Sequence, residues 1–85
     1  MNMISIHLKI NHMKDKDMVK MSTRIATGNI SVRMKHIANA YGFTTIGQLH
    51  KFLSKCTPNT KVYFNTSYMR VDSALKQLNA ELDIN

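Results

Sequence analysis

The sequence predicts a small α+β domain, with a mainly antiparallel sheet covered on one face by three helices. The sheet is expected to hold an N-terminal hairpin and one short strand. Three observations lead there. Apolar and polar residues alternate near the N-terminus with the period of a half-buried strand. Farther along, apolar residues recur at helical spacing in three stretches. Eighty-five residues, 1–85, make one domain, and amphipathic stripes in so short a chain bury most economically on one face of a sheet.

Ile4, Ile6, Leu8 and Ile10 alternate with Ser5, His7 and Lys9. After a charged turn at 14–17, Val19, Met21, Thr23 and Ile25 alternate with Lys20, Ser22, Arg24 and Ala26. The two runs are expected to pair as an antiparallel hairpin. Its outer face would carry Ser5, His7, Lys9, Lys20, Ser22 and Arg24, facing solvent because the helices cover the other side.

Thr27-Gly28-Asn29 breaks the second strand, and Asn29 can cap a helix start. Ile30, Met34, Ile37, Ala38 and Tyr41 follow helical spacing, and Gly42 stands where a C-terminal glycine stop belongs. A strand over 30–34 is the competing assignment, since Ile30, Val32 and Met34 also alternate. Thr45-Ile46-Gly47-Gln48 fits a capping box, with Ile46, Leu49, Phe52, Leu53 and Cys56 as the stripe behind it. His50, Lys51, Ser54 and Lys55 face out. Pro58-Asn59 opens a turn, residues 61–65 read as a short strand, and Thr66-Ser67 breaks it. Val71, Leu75, Leu78 and Leu82 are spaced 4, 3 and 4, a helical stripe with Asp72 near its start.

Charge distribution points to the partner. Residues 18–71 contain no acidic side chain, yet they hold Lys20, Arg24, Arg33, Lys35, Lys51, Lys55, Lys61 and Arg70. All five carboxylates lie outside: Asp15, Asp17, Asp72, Glu81 and Asp83. Charges stay at the surface of a fold, so these cations sum to a positive field. The nominal charge is +7. Such a field attracts nucleic acid, an anionic membrane or an acidic protein. Lys and Arg neutralise phosphates and release counterions, which supplies affinity without sequence information. Solubility alone would tolerate both signs, so nucleic acid is the favoured partner.

Tyr63, Phe64 and Tyr68 lie between Lys61 and Arg70. Aromatics among cations can stack on unpaired bases. Alternation makes Val62 and Phe64 core and leaves Tyr63 outward as the stacking candidate. The expected RNA-binding residues are therefore Lys9, Lys20, Arg24, Arg33, Lys35, Lys51, Lys55, Lys61, Tyr63 and Arg70. The segment lacks the glycine and aromatic pattern of an RNP motif.

Enzyme chemistry has little support in the residues. His7, His12, His36 and His50 are dispersed, and no pair shows metal-ligand spacing. No catalytic, metal or cofactor residue is assigned, and no cofactor is expected. The rival reading is a metal-independent ribonuclease using His7, His36 or His50. A second rival is a protein-only inhibitor docking on an acidic partner, in the manner of small anti-CRISPR proteins. Cys56 is alone and reads as core, which leaves no intrachain disulfide and suits a reducing cytoplasm. The longest apolar run, 62–64, is far short of a membrane span. The alternating N-terminus is not the hydrophobic core of a signal peptide, so no membrane association is expected. A domain this small gains core by dimerising, and Met1, Met3 and Val32 are apolar groups with no assigned place in it. A homodimer is expected.

Taken whole, the chain resembles a family of small early proteins of T-even bacteriophages that inhibit the ToxN-type endoribonuclease toxin of type III toxin–antitoxin systems. The resemblance rests on length, the start Met1-Asn2-Met3-Ile4-Ser5-Ile6 and the acid-free middle. It extends to the block Gly47-Gln48-Leu49-His50-Lys51-Phe52-Leu53, leading to Lys61-Val62-Tyr63-Phe64-Asn65. No signature motif is involved. It implies a non-catalytic, antitoxin-like anti-defence protein of the host cytoplasm that binds RNA and sequesters the host toxin in a ribonucleoprotein complex.

Overall fold

The computed structural model describes residues 15–84. Over that range the chain forms α1 (Asp15–Ser22), α2 (Val32–Ala40), α3 (Ile46–Lys55), β1 (Lys61–Phe64), β2 (Ser67–Arg70) and α4 (Val71–Leu82). The domain is α+β, with four helices and a two-stranded antiparallel sheet among the described residues.

The N-terminal hairpin is corrected. Residues 19–22, expected as strand, are the end of α1. The partner run at 4–10 lies outside the described residues, as do Lys9 and His7. The alternation of Val19, Met21, Thr23 and Ile25 would put all four on one inner face. Instead Met21 and Ile25 pack into the core while Val19 is exposed. Met21 and Ile25 are four apart, a spacing that satisfies a helical turn as readily as a strand. The Ser22 and Thr23 hydroxyls donate back to the Val19 carbonyl at 2.8 and 3.2 Å, occupying an acceptor at the helix end. The chain then runs briefly alongside residues 44–46. Ile25 N–H donates to the Thr44 carbonyl (2.8 Å) and Ile46 N–H to the Thr23 carbonyl (2.9 Å). Gly47 lets α1 come close: a Cβ there would lie 2.8 Å from the Met21 carbonyl oxygen.

The helix expected from the spacing at 30–41 forms over Val32–Ala40, and the competing strand at 30–34 does not form. The cap is Ser31 rather than Asn29. Its hydroxyl accepts from Met34 N–H (3.2 Å), while its own N–H donates to Glu81 Oε1 of α4 (2.8 Å). A cap that also tethers two helices outcompetes one that only caps. Gly42 takes φ +77° as expected at the stop. Gly42 N–H donates to the Asn39 carbonyl and Phe43 N–H to the Ala38 carbonyl, the paired bonds of a Schellman ending. The Thr45–Gln48 capping box of α3 forms on both sides.

β1 and β2 pair with Lys61 opposite Arg70, Val62 opposite Met69, Tyr63 opposite Tyr68 and Phe64 opposite Ser67. Thr66-Ser67 thus belongs to a hairpin rather than to a break before α4. Asn65 takes φ 53° in the turn, a conformation Asn tolerates better than most residues. A lone hairpin is marginal in water. This one buries Val62 and packs Phe64 and Met69 against the core, with α2 beside β1 and α4 beside β2. Met34, Ile37, Leu49, Leu53 and Leu78 form the fully buried centre with Val62. The expected stripe of α4 shifts slightly: Val71, Ala74, Leu78 and Leu82 are buried, and Leu75 is half-buried.

Candidate nucleic-acid interface

A strand sends successive side chains to opposite faces, and directly opposed residues share a face. With Val62, Phe64 and Met69 turned inward, the register leaves Lys61, Tyr63, Tyr68 and Arg70 together on the outer face of the hairpin. The two tyrosines are 56% and 55% exposed. Their ring centroids are 5.9 Å apart with the planes tilted by 55°. Lys61 Nζ lies 4.7 Å from the centroid of the Tyr68 ring, within cation–π range. Arg70 is engaged at the rim: its Nη2 donates to Asp72 Oδ2 (2.6 Å) and to Asn59 Oδ1 (3.2 Å). That pair offsets much of its charge, whereas Lys61 has no carboxylate partner among the described residues.

α2 borders the hairpin. Arg33 sits 5.9 Å from the Phe64 ring centroid, and His36 Nδ1 is 3.1 Å from the Asn65 side-chain amide nitrogen. The end of α2 supplies Tyr41, whose ring lies against Phe52 (4.8 Å between centroids) and near Phe43 (6.2 Å). Its hydroxyl oxygen accepts from the backbone N–H of Tyr63 at 3.4 Å. This long contact covers an outward-facing donor of β1. The hairpin and the end of α2 are thus joined by this backbone contact.

The expected cations fall into distinct groups. Lys61, Tyr63 and Arg70 share the hairpin face, while Arg33 sits over Phe64, whose side chain turns to the inner side. Lys51 and Lys55 are exposed on α3, as expected from its stripe. Arg24 is exposed, its backbone bridging to Thr45. Lys35 Nζ reaches the Ala26 carbonyl at 3.3 Å. Lys20 is a correction: it belongs to a helix and not to an outer hairpin face. Its Nζ donates to the Leu82 carbonyl at the end of α4 (2.6 Å) and lies 3.5 Å from Asp17 Oδ1. A cation at a helix C-terminus answers the dipole and the orphan carbonyls there, so Lys20 is a structural tie between α1 and α4.

His36 and His50, the histidines among the described residues, make contacts with different partners. His50 Nε2 is 2.8 Å from Asn79 Oδ1, while His36 meets Asn65. Ser54 lies 3.5 Å from His50 Nδ1, but its hydroxyl donates to the His50 backbone carbonyl at 2.8 Å, the ordinary back-bond of a helical serine. Among the described residues no group of His, Cys, Asp and Glu could hold a metal ion, and no helix is long and apolar enough to cross a membrane. The groove of about 450 Å³ beside Lys20 is also lined by Glu81 and Asp83, so it presents mixed charge.

Sequence reasoning placed Tyr63 outward but missed its cross-strand partner Tyr68. The signal was present: Tyr68 and Arg70 alternate with Met69, mirroring Lys61 and Tyr63 around Val62. Fold and surface together define a small basic α+β domain whose hairpin offers an open cationic and aromatic face. The chain matches no protein-family model, and comparisons with curated proteins and with solved structures gave no significant match.

Proposed function

We propose that this is a small phage counter-defence protein that binds RNA and inhibits a host type III toxin–antitoxin endoribonuclease by holding it in a ribonucleoprotein complex. It acts without catalysis, as a dimer, in the host cytoplasm. One observation carries the RNA-binding part: a 54-residue span without a carboxylate, of which Arg24, Arg33, Lys51, Lys55 and Lys61 stand exposed. Cations so placed release counterions from a phosphate backbone. The toxin as target rests on the resemblance to the T-even phage protein TifA. Dimerisation is supported by exposed apolar side chains, Val19 and Val32 among them at 66% each.

The test is purification at low salt, followed by the ratio of absorbance at 260 to that at 280 nm. Inhibition of the toxin is then assayed before and after ribonuclease treatment. The proposal expects co-purifying RNA and an inhibitory complex that falls apart when the RNA is digested. An inhibitory complex indifferent to ribonuclease would make the protein a direct protein–protein inhibitor. RNA cleavage by the purified protein without metal would make it a nuclease.

A further inference from the structure

We infer that the outer face of the β1–β2 hairpin is a stacking platform for unpaired bases, so that the RNA bound there is single-stranded rather than duplex. The inference rests on the RNA-binding reading and adds to it the strandedness of the ligand and the residues that select it.

The argument begins with what the tyrosines are not doing. The hairpin is anchored through Val62, Phe64 and Met69 on its inner face. Tyr63 and Tyr68 lie opposite each other on the other side, more than half exposed. Two large rings left in water side by side are an unusual expense for a domain this small, and exposed aromatic surface marks a contact site. Their mutual geometry is open: at 5.9 Å and 55° the rings do not stack flat on each other. The centroid separation suits two neighbouring bases, one to each ring, more than a single shared one.

Charge selects the occupant. Lys61 hangs over Tyr68 with no carboxylate partner among the described residues. Asp72, at the rim, is already tied to Arg70. A ligand that offers flat apolar rings beside negative charge complements this pattern, and an unpaired nucleotide offers both. Duplex RNA does not, because its bases are stacked inside and it shows proteins its phosphates and 2′-hydroxyls. The α3 cations Lys51 and Lys55 stand on a helix and not on the hairpin face, so they would read phosphate in either form. Strandedness is therefore assigned to the hairpin and bulk affinity to the remaining cations.

The experiment measures Kd for an oligouridylate of about 12 nucleotides, within the span small single-strand binders cover, and for a blunt RNA duplex of equal length. The full chain is compared with Tyr63→Ala, Tyr68→Ala and the double Phe variant, Tyr63→Phe with Tyr68→Phe. The protein has three tyrosines and no tryptophan, so quenching of tyrosine emission reports the stack directly. Each Ala variant is expected to weaken oligouridylate binding by about 5- to 150-fold and to leave duplex binding unchanged. The double Phe variant, which keeps both rings, is expected to bind as wild type, which separates stacking from loss of fold. If both Ala variants keep wild-type oligouridylate affinity, or lose single-strand and duplex binding equally, the platform is refuted while RNA binding stands. Failure of the wild type to bind either RNA refutes the RNA-binding reading and the platform with it. Loss in the Ala variants of a ribonuclease-resistant complex with the toxin, with oligouridylate affinity intact, makes the face a protein interface and overturns the inference.

Discussion

Leu78→Ala should destabilise the domain severely without touching the proposed RNA surface. Leu78 is fully buried on α4, in the stripe with Val71, Ala74 and Leu82. The substitution removes three carbons, worth about 2.4 kcal/mol of transfer free energy at roughly 0.8 per methylene. The residual cavity adds to this, because neighbours such as Leu49 and Leu53 sit in a closely packed centre and collapse only in part. The measured range for such truncations is about 2–5 kcal/mol. A domain of this length has only about 4–13 kcal/mol to lose. Taking about 3 kcal/mol, and about 4–8 °C per kcal/mol for a domain of this size, Tm should fall by roughly 12–24 °C. Urea unfolding followed by circular dichroism would show a lower midpoint at unchanged slope. Lys76→Ala, at an exposed position of the same helix, is the control and should lie within about 0.5 kcal/mol of wild type. A Leu78→Ala midpoint equal to the control's would mean that α4 does not dock on this core.

Gly47→Ala tests the contact of α1 with α3. Alanine favours an exposed helix interior by about 1 kcal/mol, but here its Cβ would fall 2.8 Å from the Met21 carbonyl oxygen; a net loss of about 1–3 kcal/mol is expected, and a raised Tm would place α1 elsewhere. Lys20→Glu should lower Tm by removing the bond to the Leu82 carbonyl and adding repulsion with Asp17, whereas Arg24→Glu should leave Tm unchanged; equal melting of the two variants would refute the structural role of Lys20. RNA affinity should fall with salt, and if Arg24, Arg33, Lys51, Lys55 and Lys61, the exposed cations of the acid-free span with no carboxylate partner among the described residues, each meet a phosphate, log Kd should rise against log salt with slope about 3.5 for a single strand. A flat dependence would remove the counterion-release argument.

Local signals survived into the structure wherever a short motif contained its own partners. The Thr45–Gln48 box, the Gly42 stop and the stripes of α3 and α4 each depend on residues within a turn or two of one another. For that reason they could be read in order along the chain. The outward turn of Tyr63 was legible too, since Val62 and Phe64 on either side of it are apolar. The acid-free span needed no fold at all, because charges stay at the surface whatever the architecture.

Tertiary structure decided what local pattern left degenerate. Val19, Met21, Thr23 and Ile25 fit a strand, but 19–22 close α1, with Met21 packed against α3 at Gly47, and 23–25 run alongside 44–46. Ser31 displaced Asn29 as the α2 cap because Glu81, fifty residues away, accepts its N–H. The same long-range logic sorted the cations: Lys20 and Arg70 look like their neighbours in sequence, yet Asp17, Leu82 and Asp72 engage them, while Lys61 stands over a tyrosine. Net charge is a sum that sequence order does not change. Which charges face a ligand depends on distances between residues far apart in the chain, and only the folded core sets those.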